Sequence, residues 1–354
     1  MRKTQVALAA LALMASTAAL ADGVKVYGTA DASIVNDKTG TFFAGAGNNA
    51  GSIFGFTGTE DLGGGLKASF TLETGVSYGD GQLVNGGYGG AGYAGLFNRQ
   101  ANLAIGNESV TVKLGQQIST FVDASLTGLV GVTGNAGFVP ALNAVAGGLG
   151  GTATSTVGGA STNAFFYADL ATVSVNMGGA TVTAQTQIGG KTAAGVNKGS
   201  YSAGSITGNV ACINLAAAMF NEELSTGLKG SVYTVGGNTQ VAGLTLRGSY
   251  GSGSSDTHDG SGYALGVDYP ISDALAVGYT YAKSSWNNTV ANGNTRSDDT
   301  PGSQNTIGLK YSMSKQTFAY VTYSSFSADT ATAANQNGGG TVKSVSMIGL
   351  AHSF

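Results

Sequence analysis

Few side chains in this 354-residue chain could combine into a catalytic or metal-binding group. His258 and His352 are the two histidines, and Cys212 is the single cysteine. A nucleophile needs a base within hydrogen-bond reach, and a zinc site needs several Cys and His ligands. The run GGLGG at 147–151 lacks the Lys-Ser/Thr pair and the helical pattern that follow a phosphate-binding loop. We therefore predict that the protein is not an enzyme and binds no cofactor or metal.

The charged side chains instead occur singly, in alternation with apolar residues. In the stretch 65–76, Phe70 and Leu72 share one parity, whereas Lys67 and Glu73 share the other. A period of two predicts a β-strand with one apolar face and one polar face. Charged residues make up 10% of the chain, against about 25% in typical soluble domains. Each polar face therefore carries few charges.

The composition also excludes two other classes of protein. The 15 Tyr and 14 Phe residues, together with the few charges, argue against a disordered chain. The formal net charge of −3 and the lack of a basic run argue against a nucleic-acid partner. A chain of this length can form a single all-β domain.

The first 21 residues have the pattern of a secretory signal peptide. Arg2 and Lys3 precede an apolar core at 6–14, and the Ala-Leu-Ala sequence at 19–21 fits a cleavage site. We expect residues 1–21 to be removed and residues 22–354 to form the mature domain. An N-terminal membrane anchor is the alternative. No later stretch of about 20 residues is apolar enough for a transmembrane helix.

Sixteen segments show the strand period, and no stretch shows sustained helical periodicity. The predicted strands are 24–35, 52–60, 65–76, 97–105, 110–118, 162–176, 181–189, 203–207, 211–220, 227–235, 240–250, 261–270, 274–284, 304–313, 316–327 and 343–354. The predicted short connections are 61–65, 106–109, 236–239, 270–273 and 312–314. The predicted long ones are 36–51, 77–96, 119–161, 190–202, 251–260, 285–303 and 328–342. Such alternation places the long loops at one end, as in transmembrane barrels.

The two faces of the strands favour a membrane barrel over a soluble sandwich. In 274–282, Val277 and Tyr279 oppose Gly278 and Thr280. Either architecture would produce this pattern, but the polar faces lack the charges of a soluble surface. Sixteen strands in a membrane also need closed edges. The sequence therefore predicts a 16-stranded antiparallel transmembrane β-barrel.

Several stretches resemble the Gram-negative porins of the β-proteobacterial type. They are VKVYGTADASI (24–34), GFTGTEDLGGGLKASFTLETG (55–75), FNRQANLAIG (97–106), VTVKLGQQ (110–117), YSMSKQTFAYVTYS (311–324) and IGLAHSF (348–354). The resemblance implies an outer-membrane barrel, usually a trimer, with short periplasmic turns and long external loops. Small hydrophilic solutes would diffuse passively through it. The third external loop, within 119–161, is then expected to fold inward and narrow the barrel.

The parity of the charged residues gives a predicted pore-lining set. Its members are Lys25, Asp31, Lys67, Glu73, Arg99, Lys113, Asp123, Lys229, Arg247, Asp268 and Lys310. Without Arg99 and the loop residue Asp123, the wall charges are six positive and three negative, whereas the external loops lean acidic. Opposed fields in a salt-filled pore are screened within about 8–10 Å. We predict weak charge selectivity, slightly in favour of anions.

Two features argue against a strong preference for anions. Family members often carry arginines where this chain has Ile53, Thr57 and Gln116. Arg99 is retained, but it shares the parity of the apolar Leu103, so a lumenal position would require a bulge or a place at the rim.

The resemblance also implies partners, and alternative functions remain open. The expected partners are two further copies in a homotrimer, outer-membrane lipid and lipopolysaccharide, and the barrel-assembly machinery, which would read the C-terminal Phe354. Asp298 and Asp299 could hold calcium, although a hydrated loop also explains them. One alternative is a substrate-selective channel whose apolar loop residues, such as Phe121 and Leu129, favour amphipathic solutes. The other is a surface adhesin that uses its external loops.

Overall fold

A computed structural model describes residues 23–37, 40–84, 95–137, 141, 156–157, 160–161, 165–189, 199–223, 227, 229–256, 258–288, 302–327 and 343–354. The predicted signal peptide at 1–21 lies outside these residues. The strands are β1 (Lys25–Asp37), β2 (Gly40–Ala44), β3 (Ile53–Gly63), β4 (Leu66–Gly75), β5 (Gln100–Gly106), β6 (Val110–Ile118), β7 (Thr156–Val157), β8 (Ala160–Ser161), β9 (Phe166–Asn176), β10 (Ala180–Gln187), β11 (Ser200–Val210), β12 (Ile213–Glu223), β13 (Lys229–Val241), β14 (Leu244–Ser255), β15 (His258–Pro270), β16 (Leu275–Asn288), β17 (Gly302–Ser312), β18 (Thr317–Phe326) and β19 (Ser344–Ser353). Helix α1 (Thr120–Leu129) follows β6.

The strands form a closed antiparallel barrel with sixteen strand positions. When β2, β7 and β8 are set aside, each strand pairs with the next one along the chain, and β19 pairs with β1 to complete the circle. The C-terminal half of β1 pairs with β2 and the N-terminal half with β3, so β2 and β3 together occupy one strand position of the barrel. Strands β7 and β8 form a separate two-stranded pair. The predicted 16-stranded barrel is confirmed.

Burial alternates along the strands and identifies the two faces of the wall. On the outer face, large apolar side chains such as Leu103 and Ile348 are 63% and 57% exposed. Residues of the opposite parity, such as Thr306 and Thr322, are buried against the material inside the barrel. This arrangement inverts that of a soluble sandwich, because the apolar surface faces outward, where acyl chains would cover it.

The connections differ in length between the two ends, as predicted, with three corrections. β14 reaches Ser255 and β15 begins at His258, so the long loop predicted at 251–260 is a short turn. The loop predicted at 36–51 contains β2, which forms a hairpin with β1. The turn predicted at 236–239 lies inside β13 instead.

The position of the third turn has a physical reason. The chain reverses at Ala242-Gly243, where both residues have positive φ values of 50° and 81°, as a tight β-hairpin requires. The glycines at 236 and 237 serve close packing instead. A Cβ atom on Gly128 of α1 would lie 2.8 Å from the Gly237 nitrogen, so the helix rests almost directly on this bare wall.

The barrel closes where β1 meets β19. Gly28 and Phe354 exchange two backbone hydrogen bonds of 3.1 Å each. The Phe354 ring lies over Gly28, because a Cβ atom there would be 2.5 Å from the ring carbon Cζ. The Phe354 ring thus packs on β1 at Gly28, where the strand has no side chain. Among the described residues, no helix has the length and apolar character to cross a membrane.

Candidate functional site: the narrowed lumen

Helix α1 lies inside the barrel and is fixed there at its N-terminus. The Ser119 hydroxyl caps the helix by accepting from the Phe121 N–H at 3.2 Å. Gln185 of β10 accepts from the Thr120 N–H at 2.7 Å and donates to the Ile118 carbonyl at 3.0 Å. The wall therefore supplies partners for backbone groups that a helix end leaves unpaired.

The apolar side of α1 packs on the inner wall rather than lining the lumen. The Phe121 ring meets the Phe220 ring of β12 edge to face, with centroids 4.9 Å apart. Phe121, Val122 and Leu129 are all fully buried. Asp123 is exposed and faces the remaining lumen.

The chain after α1 is tied to the next part of the wall, at strands β14, β15 and β16. Arg247 of β14 forms a bidentate ion pair with Asp268 of β15, with nitrogen-to-oxygen distances of 2.9 and 3.1 Å. Arg247 also donates to the Leu129 carbonyl at 2.8 Å, and Asp268 accepts from the Val132 N–H at 3.0 Å. The Thr133 and Thr280 hydroxyls are 2.9 Å apart. Arg247 and Asp268 thus clamp the loop, and their charges cancel.

A second charge pair lies on the part of the wall that α1 leaves uncovered. The Arg99 Nε donates to Glu73 at 2.6 Å, and the Tyr27 hydroxyl donates to the other Glu73 oxygen at 3.0 Å. The Arg99 guanidinium lies 4.5 Å from the centre of the Phe166 ring. Arg99 precedes β5, so strand alternation does not govern it, and its side chain reaches the inward-facing Glu73.

Four lysines point into the lumen near the short-turn end. Lys25, Lys67, Lys113 and Lys310 lie on the inward parity of β1, β4, β6 and β17. Lys310 sits 4.1 Å from the centre of the Phe318 ring. Within the described residues, none of the four belongs to an ion pair with a carboxylate. They are the free charges of the inner wall.

The structure contradicts the predicted pore-lining position of Lys229. Lys229 shares the outward parity of Tyr233 and Val235 in β13 and lies at the long-loop end. Its side chain is 67% exposed and pairs with Glu223 at 3.5 Å. It is a rim residue that faces away from the lumen.

Eight of the eleven predicted site residues fall into three groups. Arg247 and Asp268 hold the loop, Glu73 pairs with Arg99, and Lys25, Lys67, Lys113 and Lys310 belong to no ion pair within the described residues. Asp31 is fully buried beneath residues 45–52, which also fold inward. Sequence reasoning missed Tyr27 and Gln185, although both share the inward parity of their strands. In the described part of the chain, no group of three His, Cys, Asp or Glu side chains could hold a metal.

A closed antiparallel barrel with an apolar exterior, a charged interior and a loop folded into the lumen defines a β-barrel channel. The family model described as Gram-negative porin matches residues 7–331, and the chain belongs to that family. It is a protein of the outer membrane, and its short turns therefore face the periplasm.

Three relatives illustrate the similarity. An outer membrane porin of Bordetella pertussis is 34% identical over 127 residues, which cover 31% of this chain and 31% of that protein. Outer membrane porin protein 32 of Delftia acidovorans is 36% identical over 124 residues, covering 33% and 32%. The anion-selective porin from Comamonas acidovorans shares the fold with a TM-score of 0.71 at 20% identity, covering 94% of this chain and 99% of that one. The two sequence matches thus span about a third of those relatives.

Proposed function

We propose that this protein is a passive channel through which small hydrophilic solutes and ions cross the outer membrane. The observation that carries the proposal is the inner wall, where charged and hydroxyl side chains surround a lumen narrowed by α1. An ion in the hydrocarbon core would be stripped of its water at a large cost, whereas a hydrated lumen avoids that cost. The proposal includes no catalytic step.

We propose a weak preference for anions. Asp31, Glu73 and Asp268 are engaged with protein partners, whereas four lumenal lysines belong to no ion pair within the described residues and outnumber the exposed Asp123. Free positive charge on the inner wall favours anions. At the external end, the exposed Asp259 adds negative charge, which opposes this preference. Salt screens both fields beyond about 8–10 Å, so the selectivity is small.

Reversal potentials in a salt gradient test this selectivity. The variant Lys67→Gln, Lys113→Gln and Lys310→Gln removes three lumenal cations and should change a slight anion preference into a cation preference. The matched control, Lys229→Gln, Lys283→Gln and Lys315→Gln, removes three exposed cations outside the narrow lumen. It should leave the reversal potential close to the wild-type value. An equal shift in both variants would contradict the assignment of the lumenal lysines.

The burial of the loop's apolar residues weighs against a channel selective for amphipathic solutes. Phe121 and Leu129, which would contact such a solute, are buried against the wall. An adhesin would use external loops that mostly lie outside the described residues. Single-channel recording separates these functions, because an adhesin would give no conductance steps and a selective channel would be blocked by its substrate.

We further propose the maturation and partners that family membership suggests. Residues 1–21 would be removed on export, and the barrel-assembly machinery would read the strand that ends at Phe354. The mature protein would be a homotrimer in contact with lipid and lipopolysaccharide. Heat-dependent mobility on a gel measures the trimer, and mass spectrometry of the purified protein measures the cleavage site.

A further inference from the structure

A second segment of the chain folds into the barrel on the side of the first strand. Residues 45–52, here named the brace segment, join β2 to β3. They lie against Asp31, which faces the lumen from the middle of β1 and is 0% exposed. The Asp31 carboxylate accepts from the backbone N–H groups of Asn49 and Ala50 at 2.7 Å each. It also accepts from the Tyr320 hydroxyl at 2.7 Å.

Two further contacts fix the brace segment to the wall. The Ser52 hydroxyl donates to the Asp31 carbonyl at 2.9 Å and accepts from the Asp31 N–H at 3.2 Å. The Asn48 amide donates to the Ser33 hydroxyl at 2.6 Å. Residues near both ends of the brace segment are buried, so the segment occupies space inside the barrel.

The brace segment in turn holds the described part of the inward-folded loop, residues 119–137, here named the constriction loop. The Asn135 N–H donates to the Asn49 carbonyl at 2.9 Å, and the Asn135 amide donates to the Gly47 carbonyl at 3.4 Å. Gly134 has a φ of 55°, and a Cβ atom there would lie 2.5 Å from the Asn49 side chain. The two segments are therefore in direct contact, with no space between them for another side chain.

We propose that Asp31 is a positioning residue: through the brace segment it holds the constriction loop against the wall and keeps the pore narrow and steady. A carboxylate suits this position because all three partners donate to it, and hydrogen bonds to an ionised acceptor are about twice as strong as neutral ones. An asparagine could keep its oxygen on the two N–H groups only by turning its NH₂ group toward the Tyr320 hydroxyl, which would then have to accept, and all three bonds would lose the negative charge. The proposal rests on the channel function proposed above and adds to it a residue that sets the width of the channel.

The variant Asp31→Asn tests this role in single-channel recordings. We expect brief partial closures of the channel to become about tenfold more frequent. This change corresponds to a loss of about 1.4 kcal/mol in the free-energy difference between the open and the partly closed channel. Neutral polyethylene glycols slightly larger than the wild-type cut-off should also enter the channel. Exclusion of neutral polymers reports width independently of charge, and a merely structural loss of barrel stability would not change it.

A disulfide provides the rescue. Asn49→Cys and Asn135→Cys join two positions whose backbones are already hydrogen-bonded, in a Cys212→Ser background that removes the exposed native thiol. In the Asp31→Asn protein, oxidation should restore both the steady current and the polymer cut-off, and reduction should abolish the rescue. A failure of the oxidised protein to recover would overturn the role of Asp31.

A second variant keeps the test decisive if Asp31→Asn does not fold. Gly134→Ala leaves Asp31 intact and separates the brace segment from the loop, so it should produce the same closures. Wild-type behaviour of Gly134→Ala and of any folded Asp31→Asn protein would overturn the inference while the channel proposal stands. A wild-type protein without conductance would instead contradict the proposed function itself.

Discussion

At the scale of single residues, the lumenal charges divide into those held in pairs and those left facing water. Glu73 and Arg99 form one pair, and Arg247 and Asp268 form the other. A close pair has little field at a distance, so the net charge that a passing ion meets comes mainly from the free lysines. Freeing one member of a pair should therefore change selectivity more than adding a distant charge.

Glu73→Gln is expected to increase the preference for anions. The substitution leaves Arg99 without its carboxylate, while the new amide oxygen can still accept from the Tyr27 hydroxyl, so one positive charge is uncovered. A unit charge about 8 Å from an ion in water contributes about 0.5 kcal/mol, or about a twofold change in the permeability ratio. Reversal potentials measure the change. Asp61→Asn, at a periplasmic turn, is the control, and a shift of Glu73→Gln toward cations would contradict the prediction.

Parity indicates which residues face inward only where a strand is regular. Lys25 and Lys67 lie on the inward faces of continuous strands, where alternation holds. Arg99 comes one residue before β5, and its backbone N–H bonds the Glu73 carbonyl at 3.1 Å, so alternation assigns it to the wrong side. Lys229 shares the parity of apolar outward residues, and its inclusion in the pore-lining set was wrong.

At the scale of elements, helix α1 was the feature that the sequence pattern did not predict. An amphipathic helix shows a period of 3.6 because one side faces water. In α1, Phe121, Val122, Ala124, Ser125 and Leu129 are all buried, because the barrel encloses most of the helix. The periodic signal is therefore lost. Resemblance to a family indicated an inward loop, but not that this loop would be helical.

The Arg247 clamp is expected to stabilise the loop and the barrel together. Arg247→Ala removes the bond to the Leu129 carbonyl and leaves Asp268 buried without its cation, which typically costs about 3–5 kcal/mol. The double variant Arg247→Ala, Asp268→Ala should be less destabilised than Arg247→Ala alone, because it leaves no uncompensated charge. The temperature of heat-induced mobility change on a gel measures both. Lys283→Ala, on the outer face, is the control, and equal destabilisation of the single and double variants would contradict this account.

At the scale of the whole molecule, the barrel was predictable because hydrocarbon imposes a strict rule. Each apolar face must point outward and every backbone group must be paired, so sixteen alternating segments imply closure. The hairpin of β1 with β2 was not predictable, because its Gly, Phe and Asn residues read as a loop. The register of β13 was also missed, because its glycines fit a turn as well as a close approach of α1.

Gly28→Val is expected to impair closure of the barrel. Its side chain would collide with the Phe354 ring and with the Ile53 carbonyl, 2.6 Å from the Cβ position. Gly204→Val is a matched control, since Gly204 also faces outward and its Cβ position has no neighbour nearer than 3.8 Å. The heat-resistant fraction after refolding in detergent should fall for Gly28→Val alone. Equal yields from the two variants would contradict a role for the packing of Phe354 on Gly28 in barrel closure.

The internal contacts cross the line where the two ends of the sheet are joined. Ala136 of the loop packs with Val35 of the first strand and with Met347 of the last. The aperture therefore reaches its final size only when the cylinder is complete. A precursor whose first and last strands are not yet paired would lack the narrowed lumen. Closure of the barrel and size exclusion therefore arise in the same step.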